Sequence, residues 1–160
     1  MAKITSIHLY SPFKLMRLSN ILFKNNFADM HLLQQINKKV ATLLEKKVLK
    51  YYECNSLYMH LVHLDSLDSK TKKLFFDFFK KETDLNKKFA LTCTITSALT
   101  STRSFNYGLA YFQLEKIAKH AREQGKQKFL TQLNEHDKLQ LRAVYKLNDN
   151  LLEGKLFEKI

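Results

Sequence analysis

Glycine and proline are scarce, with three glycines and one proline in 160 residues. A β-sandwich or barrel needs a turn signal about every 8–12 residues, so this chain is a poor candidate for an all-β fold. Long helices joined by short polar links suit it better. Cysteine is nearly absent: Cys54 and Cys93 stand far apart with no CxxC spacing. That argues against a disulfide scaffold and favours two reduced thiols in an intracellular, cytoplasmic protein. Long apolar runs are missing too. The longest uncharged stretch, 89–102, falls short of the roughly 20 residues of a membrane span, and half of it is serine and threonine. Lys14 and Arg17 interrupt the only apolar segment that could serve as a secretory signal. The first 26 residues contain no acid, as in organellar transit peptides. They are poor in arginine and show no cleavage site, so they read as an integral part of the fold.

Catalytic and metal signatures are also lacking. HExxH, GxSxG, the P-loop and GxGxxG do not occur. No catalytic, cofactor-binding or metal-ligating residue is assigned, and no cofactor is expected. His60 and His63 stand three apart with Asp65 nearby, which puts two imidazoles on one helix face, but no third ligand is evident. They read as ordinary helix histidines. No motif ties the chain to a family.

What the chain has in excess is positive charge. It carries 27 basic against 15 acidic residues, a net charge of +12. Only four of the basic residues are arginine (Arg17, Arg103, Arg122 and Arg142), the residue best suited to bidentate contact with phosphate and bases. The excess is dispersed: residues 1–28 carry +4, 29–69 carry 0, 70–100 carry +4 and 101–160 carry +4. The densest cluster is Lys72, Lys73, Lys80, Lys81, Lys87 and Lys88, interleaved with Phe75, Phe76, Phe78 and Phe79. Lysines among aromatics suit an anion-binding face that tracks phosphates and stacks bases. Four phenylalanines at helical spacing suit a core equally well, and better by frequency.

Hydrophobic periodicity places the helices. Ser11-Pro12 is a start signal for a helix over 12–24, which is apolar round most of its girdle, as buried helices are; a membrane-surface helix is the less favoured alternative, because the polar face is thin. Asp29 caps a long helix over 30–52, with Leu32, Leu33, Ile36, Val40, Leu43, Leu44 and Tyr51 on its apolar stripe. A break at Cys54-Asn55-Ser56 precedes a short helix over 57–64. Asp68 or Ser69 opens a helix over 70–82. Residues 89–104 alternate with period 2 yet also fit a helix capped by Asp84; helix is preferred, and their hydroxyls either line a pocket or bond back to helix carbonyls. Residues 105–133 form a helical hairpin turning at Gly125. Tyr107, Ala110, Tyr111, Leu114, Ile117, Ala118 and Ala121 make its inner face, and Lys116, Lys119, His120 and Glu123 its outer face. Asp137 caps a last helix to about residue 152, after which the chain frays. Val40 and Leu114 are expected in the core, on facing helices.

The expected architecture is all-α: one domain over 1–160, a bundle of five to seven helices, with at most one short β pair of residues 4–10 with 89–96. The best functional reading is a non-enzymatic interaction protein, an adaptor, inhibitor or accessory factor. It would bind a macromolecular partner, foremost a protein, through a helical surface. A basic nucleic-acid-binding protein making phosphate-backbone contacts is the alternative, and an enzyme with an unrecognised site ranks third. Homo-oligomerisation is compatible with the sequence.

Overall fold

A computed structural model describes residues 6–81, 85, 87–104 and 106–147. Among them it shows eight α-helices, one 3-10 turn and no strand, so the chain is all-α. The short β pair does not form among the described residues. Residues Ile7–Leu9 are a 3-10 turn and Lys88–Arg103 are α-helix. Two of the inward hydroxyls bond back to helix carbonyls, while that of buried Ser97 has no partner among the described residues. Thr94 Oγ1 donates to the Ala90 carbonyl at 2.8 Å and Thr102 Oγ1 to that of Ala98 at 3.0 Å. Asp84 and residues 148–152, which enter the predicted cap and the predicted last helix, lie outside the described residues. The contacts divide the chain into two compact units, Met1–Lys81 and Glu82–Ile160.

In the first unit, the turn at Ile7–Leu9 leads into α1 (Pro12–Lys24), α2 (Met30–Glu45), α3 (Tyr51–His63) and α4 (Ser69–Lys81). The predicted starts hold. Ser11 Oγ accepts from the Lys14 amide at 3.3 Å, Asp29 Oδ1 from that of Leu32 at 2.9 Å, and Asp68 Oδ1 from that of Thr71 at 2.7 Å. The helix predicted over 30–52 breaks at Lys47, whose φ is +56°, and the Cys54-Asn55-Ser56 segment read as a break lies inside α3. Helix α1 packs against α3, and α4 against α2. Asn37 is buried and ties down the α3–α4 connection: its Nδ2 donates to the Ser66 carbonyl at 2.7 Å and its Oδ1 accepts from the Asp68 amide at 3.2 Å. Val40 is fully buried here.

In the second unit, α5 (Lys88–Arg103), α6 (Tyr107–Gln124), α7 (Lys126–Thr131) and α8 (Glu135–Leu147) enclose a core that includes Leu91, Ile95, Leu114, Ile117, Phe129 and Leu141. Leu114 is thus core, in a different unit from Val40. Thr92 Oγ1 donates to Asp137 Oδ2 at 2.9 Å and Thr96 Oγ1 to Gln140 Oε1 at 3.2 Å, pinning α5 to α8. Asn134, not Asp137, caps α8, accepting from the Asp137 amide at 2.7 Å. Gly125 closes α6 at φ +89°, a backbone that side chains rarely tolerate. The inner face of α6 is rotated from the predicted one. Ala110, Leu114, Ile117, Ala118 and Ala121 are buried as expected, but Tyr107 and Tyr111 are exposed, and Leu109, Gln113 and His120 are buried.

Candidate functional site

The six lysines of the predicted anion-binding face are all exposed. Lys72, Lys73, Lys80 and Lys81 lie on α4 in the first unit, whereas Lys87 and Lys88 belong to the second, at the start of α5. On α4, Asp77 sits exposed within one helical turn of Lys73, Lys80 and Lys81, so the charges on that face are mixed. Two of the four phenylalanines between them are core residues. Phe75 and Phe79 are fully buried, each edge-on to Tyr58 of α3 with ring centres 5.4 and 5.5 Å apart. Core packing accounts for these two, while Phe76 and Phe78 are half-buried.

The histidine pair on α3 is spoken for as well. His60 is buried with Nδ1 2.8 Å from Ser19 Oγ of α1, and the Phe23 ring lies 5.1 Å from the His60 ring and 5.2 Å from that of His63. Burial pushes the His60 pKa down to about 4, with His63 and Lys24 adding to the effect. Among the described residues, no group of three His, Cys, Asp or Glu side chains could hold a metal ion. Both thiols are buried and free. Burial raises the Cys54 pKa strongly and that of Cys93 to about 11, so both stay protonated at neutral pH and are weak nucleophiles.

Two features of the first unit were not singled out from sequence. The first is a groove of about 410 Å³ between the 3-10 turn and α2, lined by Ile7, His8, Gln35, Lys38, Lys39, Thr42 and Lys46. The polar stripe of α2 was legible as such. Its concavity was not, because it depends on residues 7 and 8 folding back over the helix, where Lys39 Nζ donates to the His8 carbonyl at 2.8 Å.

The second is the outer face of α1. The sequence reads as a buried helix, yet α1 buries only Leu15, Ser19 and Leu22. Leu9, Phe13 and Ile21 are 74%, 65% and 54% exposed. The Arg17 guanidinium lies over the Phe13 ring at 5.9 Å. A shallow depression of about 310 Å³ runs along Tyr10, Lys14, Arg17, Leu18 and Ile21. The apolar girdle was legible; which part of it the other helices would cover was not. Among the described residues, no helix is long and apolar enough to cross a membrane. No protein-family model matches this chain, and no curated protein or solved structure matches it at a significant level.

Proposed function

We propose that this chain is a non-enzymatic interaction protein that binds an acidic, amphipathic segment of another protein along the outer face of α1. The observation that carries this reading is the exposure of Leu9, Phe13 and Ile21 together. Phe13, Arg17 and Ile21 recur at intervals of four and so form a stripe along the helix. Water-exposed apolar side chains grouped in this way favour a partner's apolar surface over solvent. Arg17 lies within the stripe, Lys14 and Lys24 lie beside it, and no acidic residue occurs before Asp29, so the complementary partner is negatively charged. An amphipathic helix laying its apolar face on such a stripe is a recurrent recognition mode.

A photo-crosslinking side chain placed at Phe13 or Ile21, with exposed Gln34 and His136 as control positions, tests it in the cell of origin. The expected result is a discrete protein adduct from positions 13 and 21 alone. Once purified, that partner should bind the wild-type chain and lose about tenfold or more in affinity for Ile21→Glu, the scale of one interfacial anchor. Equal crosslinking from the control positions, or binding of the α1 face to anionic vesicles in place of protein, would overturn the reading. Backbone contact with nucleic acid remains the second reading, supported by the exposed lysines and opposed by the carboxylate of Asp77 among them.

A further inference from the structure

We infer that the groove between the 3-10 turn and α2 is a binding site for a dianionic phosphate group, such as a phosphate monoester or the terminal phosphate of a polyphosphate. Lys38, Lys39 and Lys46 all line one concavity, the first two adjacent on α2 and the third two turns further on at its C-cap. No carboxylate lines it. Glu45 is the single acid on α2, and its Oε1 is taken by Lys70 Nζ at 3.1 Å. No carboxylate of the described residues pairs with Lys38, Lys39 or Lys46. On α4, by contrast, the lysines share their face with Asp77.

Three like charges gathered in a recess repel one another, and a dianion relieves that repulsion better than a singly charged phosphodiester. The recess is also built rather than incidental. Ile7 is buried, which anchors the 3-10 turn, and the bond from Lys39 to the His8 carbonyl holds backbone and ammonium in register. One proton of that ammonium is committed there, and two remain to donate to a ligand. Gln35 Nε2 lies 2.8 Å from His31 Nε2, which orients the amide at one end of the groove. At about 410 Å³, the recess has the size of a small-ligand site.

The test is a titration of the full chain at low ionic strength with pyrophosphate, followed by amide NMR shifts and calorimetry. The expected outcome is a single saturable site with shifts centred on residues 7–8 and 35–46. The Lys38→Ala/Lys46→Ala double variant should bind at least about tenfold more weakly, the scale of losing a charge-assisted hydrogen bond. Both lysines are exposed, so the variant's unliganded melting temperature should match the wild type. Lys72→Ala/Lys73→Ala is the control and should bind pyrophosphate as the wild type does. Phosphatidylcholine vesicles doped with a phosphoinositide identify the source. Binding to them that pyrophosphate displaces assigns a lipid headgroup; no vesicle binding alongside pyrophosphate binding assigns a soluble phosphate compound. No saturable pyrophosphate site, an equal loss in the two double variants, or tighter binding of a DNA lacking terminal phosphates would each overturn the inference.

Discussion

Ser19 of α1 and His60 of α3 meet inside the first unit through a 2.8 Å hydrogen bond, and both are buried. The serine has one hydrogen, and its Oγ lies 2.9 Å from the Met16 carbonyl, which can only accept. The proton of the Ser19–His60 bond is therefore assigned to His60 Nδ1. The ring is neutral, wedged against Phe23, and costly to protonate because the charge would be poorly solvated.

That arrangement fixes a pH dependence. The folded-state pKa of His60 lies at about 4, below its unfolded value of 6.5. Above 6.5 both states leave the ring neutral and its contribution to stability is complete. As the pH falls from 6.5 toward 4, the unfolded chain takes up a proton that the folded chain refuses, so stability declines through that window. Melting temperatures measured across it should fall for the wild type and fall less for His60→Gln. A His60 ring that titrates near 6.5 by NMR would show that the pair is solvated.

Gln113 gives a second expectation. It is fully buried on α6, and neither its Oε1 nor its Nε2 has a hydrogen-bond partner among the described residues. A buried amide in that condition costs free energy that an apolar side chain of similar size avoids. Gln113→Leu should raise stability by about 1–3 kcal/mol, read from the denaturant midpoint. A loss of stability in that variant would mean that the amide is satisfied in solution.

These two residues also mark where sequence reading stops. Starts of helices are local chemistry, so Ser11-Pro12, Asp29 and Asp68 were legible as caps, and each accepts the expected amide. Burial is not local. The 3.6-residue period placed Leu114 and Ile117 inside but could not tell that Gln113 and His120 would be covered too, or that Tyr107 and Tyr111 would stay in water. The α1 surface escaped for the same reason. Its girdle is apolar nearly all round, and only the packing of α1 against α3 decides that Phe13 and Ile21 face outward. The groove beside α2 required a contact 31 residues apart in sequence, from Lys39 to His8.

The break at Lys47 is the clearest case of a feature hidden by composition, and it carries the last prediction. With few glycines available, three helices end on left-handed residues that have side chains: Asn26 at φ +48°, Lys47 at +56° and Asp65 at +51°. Each ending has the same bonding. For α2, the Lys47 amide donates to the Leu44 carbonyl at 3.1 Å and the Val48 amide to that of Leu43 at 3.3 Å. Asn and Asp adopt this conformation comparatively easily; lysine does so at a cost of about 1 kcal/mol or more, and as a good helix former it gives no warning of a stop. Lys47→Gly removes that strain and returns part of the gain as unfolded-chain entropy, so stability should rise by about 0.5–1 kcal/mol. Asp65→Gly and Asn26→Gly should gain less. The continuous helix that periodicity suggests over 30–52 demands the opposite sign, because glycine in a helix interior costs about 1 kcal/mol. Denaturant midpoints for Lys47→Gly and Lys47→Ala beside the wild type decide between them. Stabilisation by glycine alone places the break at residue 47, and destabilisation by glycine restores the single helix.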